Sequence, residues 1–156
     1  MIAGPAMLYV KDKDLQPQYV KLQHFNPALC SIVQKLADYV SSSFNKDVIV
    51  TCIYRSQSEN DSIYKNVTKK KKITAHGVWA AIDIRSHGLE DNIPDMLKFL
   101  NAYNSTNANK TKSGQTAIFH EIVGHGPHFH IQYQKKEVHA HFKNGHGDGS
   151  KKSSGK

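Results

Sequence analysis

The hydrophobic and polar positions of the chain repeat with a helical period in some segments and with a strand period in others. Apolar residues recur three and four positions apart from Pro27 to Phe44, which predicts an amphipathic helix that Asn26 caps at its N-terminus. The same period predicts a helix over 90–103, and the polar stretch 57–64 could begin a short helix.

Segments rich in β-branched and aromatic residues predict the strands. They lie at 48–55, 79–85, 116–122 and 128–134. Without the short helix, the order along the chain is helix, strand, strand, helix, strand, strand. This order predicts an α+β domain with a mainly antiparallel sheet and flanking helices.

Length and composition fit one globular domain followed by a short tail. The chain has 156 residues, of which 38% are hydrophobic and 22% charged, and no apolar run approaches the roughly 20 residues of a membrane-spanning helix. Residues 143–156 are almost without apolar side chains, so we expect a flexible basic tail after a domain over 1–142. The N-terminus lacks the basic start and apolar core of a signal peptide, so we expect none. We expect a monomer.

The formal net charge of +8 predicts attraction to polyanions, which could be nucleic acid, anionic lipid or an anionic cell wall. The charge is nearly all lysine and concentrates in the tail and in segment 65–72, interpreted as a solvated loop or as a basic lip beside a cleft. Nucleic-acid recognition would be favoured by arginines interleaved with aromatic residues. We therefore expect no specific nucleic-acid partner, and the charge alone does not choose between anionic lipid and an anionic cell wall.

The second and fourth predicted strands each carry an apolar face and a face of metal-ligand type. Asp83 stands between two isoleucines and faces away from them, because side chains alternate along a strand. His128 and His130 alternate with apolar residues in the same way, and His76 lies in the turn that enters the second strand. Zinc is commonly held by three ligands from His, Asp and Glu, so His76, Asp83 and His130 are candidate zinc ligands.

Three stretches resemble motifs of one enzyme family. TAHGVWAAID, Thr74 to Asp83, resembles the Ser-x-His-x-x-Gly-x-Ala-x-Asp motif of the M15 zinc peptidases, which include D-Ala-D-Ala carboxypeptidases and phage cell-wall endopeptidases. PHFHIQY, Pro127 to Tyr133, is similar to the family's His-x-His motif, and IYRSQSEN is similar to its Tyr-Arg-Ser segment at the end of a strand. The three motifs follow the family's order and span about half the chain.

The resemblance implies a Hedgehog/DD-peptidase-like fold and a zinc metallopeptidase that cleaves stem or cross-link peptides of peptidoglycan. It implies that His76, Asp83 and His130 bind Zn²⁺, that Arg55 contacts the substrate or the transition state, and that His128 is a catalytic residue near the metal. Within the family that the chain resembles, small size and the absent signal peptide favour a phage-type lytic endopeptidase over an exported carboxypeptidase. An anionic cell-wall surface is the polyanion that such a basic wall peptidase would bind. Such a protein would stay in the cytoplasm of the producing cell or on a virion, and act on the cell wall after release.

Three positions depart from the family pattern. Its serine is Thr74 here, its glycine is Trp79, and the glutamate that many members place three residues before the last ligand is Pro127. The general base is therefore open between His128 and, as second choice, Glu121 on the neighbouring strand. A non-catalytic cell-wall binding module that keeps the zinc site is the alternative function.

Other residues have no catalytic role in this interpretation. Cys30 and Cys52 could pair, but a lone pair in a chain without a signal peptide more often means two buried thiols. Trp79 is either core packing or a wall of the substrate cleft. His120 and the other unassigned histidines are interpreted as surface residues.

Overall fold

The computed structural model of the chain describes residues 8–63, 74–103, 108–109, 111–122 and 124–145. The lysine-rich segment 65–72 and the tail from residue 146 onward lie outside the described residues, so the interpretations given to them stay predictions. Within the described residues, no helix is both long enough and apolar enough to cross a membrane.

Five α-helices occur in the part of the chain that the structure describes. They are α1 (Leu15–Phe25), α2 (Pro27–Phe44), α3 (Gln57–Ile63), α4 (Ile93–Asn101) and α5 (Lys136–Gly145). The prediction for α2 is confirmed at both ends, and the side chain of its N-cap Asn26 accepts a hydrogen bond from the backbone N–H of Leu29 at 3.3 Å. Helices α1 and α5 were not predicted, and α5 extends past position 142.

The described strands form two sheets. They are β1 (Leu8–Val10), β2 (Val48–Cys52), β3 (Ala81–Arg85), β4 (Ala108–Asn109), β5 (Ala117–Ile122), β6 (Gly126–Gln132) and β7 (Gln134–Lys135). The larger sheet has the order β1-β2-β3-β6-β5, with β1 parallel to β2 and the other pairs antiparallel, while β4 and β7 form a separate pair. The α+β class with a mainly antiparallel sheet is confirmed.

Two predicted strands are shorter in the structure, and both changes affect the candidate site. β2 ends at Cys52, so Ile53 to Arg55 form a loop rather than the end of the strand. β3 begins at Ala81, because residues Ala75–Val78 form a 3₁₀ turn that Trp79 ends in the left-handed conformation, at φ 58°.

The hydrophobic core lies on one face of the larger sheet. The isoleucines on either side of Asp83 are fully buried, as are Phe129 and Ile131 of β6. Helix α2 contributes seven buried side chains to this core, and Met96 and Leu100 of α4 are also fully buried. Each large apolar side chain buried in this way contributes about 1.5–3 kcal/mol of transfer free energy.

The opposite face of the sheet carries the polar residues of the central strands. The register pairs Asp83 with His130 across β3 and β6, and His120 with His128 across β5 and β6. Directly opposed residues point to the same face, so these four side chains share one side of the sheet. The candidate chemistry thus lies on the side away from the core.

Candidate metal centre

His76 and His130 converge on one carboxylate. The Nε2 atom of His76 lies 3.2 Å from Oδ1 of Asp83, and the Nδ1 atom of His130 lies 3.0 Å from the same oxygen. The side chains of His76 and Asp83 are 4% and 6% exposed, and that of His130 is 14% exposed. The structure therefore brings together all three residues that the sequence proposed as metal ligands.

The 3₁₀ turn that carries His76 is held by contacts from three other parts of the fold. The backbone carbonyl oxygens of Val78, Trp79 and Ala80 each accept a hydrogen bond from a distant residue. The donors, in that order, are Gln134 Nε2 at 2.8 Å, Asn26 Nδ2 at 2.9 Å and the backbone N–H of Tyr133 at 3.0 Å. His76 is thus fixed relative to β6 and to the start of α2.

Both imidazole rings have their second nitrogen engaged by an oxygen. Nδ1 of His76 lies 2.9 Å from the carbonyl oxygen of Ile53, and Nε2 of His130 lies 3.2 Å from Oε1 of Gln132. Because these oxygens only accept, the ring nitrogens facing them carry the protons, and the nitrogens facing Asp83 present lone pairs when the rings are neutral. This is the arrangement in which metal-binding histidines are usually held.

The charges at the cluster favour an ionised aspartate. Burial on its own would raise the pKa of Asp83, but the facing imidazoles of His76 and His130 hold it well below its usual range. Burial would lower the pKa of His76, but the Asp83 carboxylate raises it well above its ordinary value. A buried carboxylate between two imidazole nitrogens is compensated either by a proton on a ring or by a metal cation.

Cys52 extends the cluster on the other side of His76. One ligand atom each from Cys52, His76 and Asp83 lie within 4.8 Å of one another, so these residues form a group that could hold a metal ion. The Cys52 sulfur, however, lies 3.7 Å from Nδ1 of His76, the nitrogen that already faces Ile53. Because Asp83 lies at Nε2, on the other edge of the ring, Cys52 and Asp83 approach different nitrogens of His76, and His130 is the other candidate for the third ligand.

Arg55 reaches the cluster through Cys52. Its Nη2 atom donates to the Cys52 sulfur at 3.6 Å, and the arginine is half-buried in the loop that follows β2. Cys52 itself is a free thiol, as is Cys30. The structure therefore positions the predicted substrate contact one side chain away from the candidate ligands.

His128 lies beside the other oxygen of Asp83. Its Nε2 is 3.6 Å from Oδ2 of Asp83 and 3.0 Å from Nε2 of His120, while its Nδ1 lies 3.0 Å from the carbonyl oxygen of Gly126. Burial, together with the charges of His128 and His130, lowers the pKa of His120. His120 belongs to the cluster, so its interpretation as a surface residue does not fit this geometry.

The structure does not bring Glu121 to the cluster. Glu121 is exposed and follows His120 along β5, so its side chain points to the opposite face. It pairs with Pro127, the position at which the resembling family often has a glutamate.

Sequence reasoning missed His120 and Cys52. Alternation along β5 would have put His120 on the face of Ile118, but the sequence does not show the register in which β5 pairs with the strand of His128. The position of Cys52 depends on where β2 ends. Neither residue stands in a motif that would have marked it.

Comparison with known proteins adds no assignment, because no protein-family model, curated protein or solved structure matches this chain. The α+β fold and the candidate Cys/His/Asp metal site therefore rest on the chain's own residues.

Proposed function

We propose that the protein is a zinc-dependent peptidase that cleaves peptide bonds in peptidoglycan stem or cross-link peptides. The observation that carries the proposal is the convergence of His76 Nε2 and His130 Nδ1 on one oxygen of Asp83, at 3.2 and 3.0 Å. The three motifs that resemble the zinc peptidases contain these same residues and add Arg55 and His128. The motifs support the peptidase activity by resemblance, and the geometry of the cluster supports metal binding.

The donor set suits zinc. Two imidazole nitrogens and a carboxylate oxygen are the ligands of many catalytic zinc sites, which keep a further position for water or substrate. Ligands at the usual distances around a tetrahedral zinc ion would be about 3.3 Å apart. The two separations from Asp83 Oδ1 to the ring nitrogens, 3.2 and 3.0 Å, are close to this value. A zinc ion so held would polarise the scissile carbonyl and supply a nucleophile for amide hydrolysis at neutral pH.

The surrounding side chains have roles that follow from their positions. Asp83 Oδ1 lies between the ring nitrogens of His76 and His130 that would bind the metal, and Ile53 and Gln132 fix the opposite ring nitrogens. Arg55 offers paired N–H donors that suit a peptide carboxylate or a developing oxyanion. In the proposed reaction, Nε2 of His128 takes a proton from the attacking water and passes it to the leaving amine, and His120 contacts that same nitrogen.

The test is mass spectrometry of purified peptidoglycan after incubation with the full-length protein, with and without a chelator. We expect new peptide termini that disappear with the chelator, and the masses identify the bond that is cut. Asp83→Ala and His76→Ala should each lower the rate more than 100-fold, beyond the roughly 10–100-fold effect of losing a residue that only supports a ligand. His87→Ala is the matched control, because that side chain is 91% exposed.

A second variant separates catalysis from metal binding. His128→Ala should retain bound zinc, measured by elemental analysis, and lower the rate by about 10²–10⁴-fold, as removal of a general acid–base group does. Zinc binding with no new peptide termini from several wall chemistries would contradict the peptidase proposal.

That outcome would favour the second candidate, a non-catalytic cell-wall module that uses the same metal centre for structure. The specific observation on its side is that Glu121, the acidic group considered as general base, points away from the cluster, and that Pro127 stands where a glutamate would lie. For this candidate, zinc would alter retention on insoluble cell walls while leaving the wall peptides intact.

A further inference from the structure

An aromatic cleft lies beside the turn that carries His76. Its volume is about 400 Å³, within the range of small-ligand sites, and its walls come from α1, the loop after β2, the His76 turn and α5. The lining residues are Gln18, Lys21, Tyr54, Gly77, Trp79 and Phe142. None of their side chains is a candidate metal ligand.

The aromatic side chains of the cleft form a connected cluster. Tyr54 and Trp79 are stacked with their ring centroids 4.8 Å apart and their planes 20° apart. Phe25 contacts both Trp79, at 5.3 Å between centroids, and Phe142, at 5.6 Å. Tyr54 is also tied to α1, because its backbone N–H donates to Oε1 of Gln18 at 3.1 Å. The walls are therefore organised before any ligand binds.

Trp79 stands in a conformation that is unfavourable for its type. Its φ of 58° is in the left-handed region, where a bulky side chain is strained and glycine would not be. The turn would form more easily with glycine, so packing or binding by the indole must outweigh this strain. Such strained residues are concentrated at ligand sites. Because the indole forms a wall of the cleft, the strained backbone of Trp79 is a reason to expect that the cleft binds a ligand.

The charge of the cleft points to an anionic ligand. Among the described residues that line the cleft, Lys21 is the only one with a basic or acidic side chain, and that side chain is exposed. Aromatic faces with a single cation suit a ligand that has an apolar body and one carboxylate.

The cleft and the metal centre share two short segments. Gly77 follows His76 directly, and Tyr54 lies between Ile53, which holds Nδ1 of His76, and Arg55. The cleft therefore adjoins the segments that position His76 and Arg55. We propose that this cleft is a specificity subsite for an acidic residue of the peptide substrate, with the carboxylate at Lys21 and the aliphatic part on the aromatic walls. This inference rests on the proposed function.

The test uses the fluorescence of Trp79, the chain's only tryptophan, in the full-length protein with and without zinc. The probes are the capped tripeptides Ala-Glu-Ala, Ala-Gln-Ala and Ala-Lys-Ala, which differ only in the central side chain. We expect the acidic peptide to bind about five-fold more tightly than the neutral one, as for one exposed ion pair, and the basic peptide to bind most weakly. Lys21→Gln should remove the difference between the acidic and neutral peptides.

Lys13→Gln is the matched control, since Lys13 is also exposed, lies just before α1 and does not line the cleft. It should keep the preference for the acidic peptide. Phe142→Ala, measured by calorimetry, should weaken all three peptides alike. Equal affinities for the three peptides, or a preference that survives Lys21→Gln, would overturn the inference.

Digestion of peptidoglycan separates this inference from the proposed function. If the wall is digested, Lys21→Gln should raise KM and leave kcat unchanged. If no wall peptide is cut but the acidic preference depends on Lys21, the peptidase proposal fails while the subsite stands. Digestion with a KM that is unaffected by Lys21→Gln would retain the peptidase and remove the subsite.

Discussion

At the scale of single residues, Asn26 connects the fold to the metal centre. Its Oδ1 accepts from the backbone of Leu29 and caps α2, while its Nδ2 donates to the carbonyl oxygens of Trp79 and Tyr133 at 2.9 and 2.7 Å. Asn26 is 4% exposed. One amide thus joins the start of α2, the His76 turn and the residue that follows β6.

The two functions of Asn26 can be separated by substitution. Asn26→Ser retains a hydroxyl that can cap α2 but loses both side-chain N–H donors, so the two carbonyl oxygens lose a partner. We expect it to lower the free energy of unfolding in urea by roughly 1–3 kcal/mol, and Asn26→Ala by about 1 kcal/mol more, because the cap is also lost. Zinc affinity should weaken in both variants because the His76 turn is released. A serine variant as stable as the parent would show that these carbonyl contacts contribute nothing.

At the scale of elements, the pairing of α1 with α2 has a pH-dependent component. Burial raises the pKa of Cys30 on α2 to about 11, with a hydrogen bond from Tyr19 acting in the other direction. Burial and the neighbouring Cys30 raise the pKa of Tyr19 on α1 to about 12. Both groups are therefore held neutral where the two helices meet.

The stabilisation from these two groups should be lost at alkaline pH. Each pKa is higher in the folded chain than the unfolded values of about 8.5 for cysteine and about 10 for tyrosine. Below these unfolded values the contribution is fully present, and it decreases as pH rises toward about 11 for Cys30 and about 12 for Tyr19. The free energy of unfolding, measured in urea from pH 8 to 11, should fall more steeply in the parent than in Cys30→Ala. Both proteins have the same lysines, so lysines do not contribute to the difference between them. If the free energy of unfolding falls with the same slope in both proteins, Cys30 is not the source of the pH dependence.

Whether a helix or strand could be predicted depended on the strength of its hydrophobic pattern. Helix α2 buries seven side chains at helical spacing and starts with Asn-Pro, so its limits were predicted correctly. Helix α1 buries only Leu15 and Leu22 and contains Pro17, so its sequence has little of the amphipathic pattern. Strand β1 has three residues, and its parallel pairing with β2 is a long-range contact.

In the candidate site, the positions that follow from a rule within one strand were predicted, and the positions that depend on contacts between elements were not. Alternation within β3 and β6 correctly put Asp83 and His130 on a polar face, since that rule is local to each strand. The contacts of His120 and Cys52 could not be predicted, because they depend on the register between β5 and β6 and on where β2 ends. Glu121 was placed on the neighbouring strand, but the register turns its side chain away from His128.

At the scale of the whole molecule, the two faces of the larger sheet carry different features. One face is covered by α2 and α4 and carries the apolar core, and the other carries the histidines and Asp83. The His76 turn joins the metal centre to the aromatic cleft, and the buried Gln134 links that turn to α5, since its Oε1 accepts from Nδ1 of His139 at 2.9 Å. Zinc bound at His76 should therefore stabilise much of the chain.

This linkage can be measured and also decides which residues bind the metal. Zinc at 100 times its dissociation constant should add about 2.7 kcal/mol to the free energy of unfolding, which corresponds to a rise in Tm of roughly 5–10 °C for a domain of this size. If His130 is the third ligand, His130→Ala should abolish the rise and Cys52→Ser should keep it. If Cys52 is the ligand, the two variants should exchange behaviour, and the cobalt-substituted protein should show a thiolate-to-cobalt absorption that Cys52→Ser removes. A Tm that is the same with zinc and with chelator in the parent protein would exclude a metal centre at either set of residues.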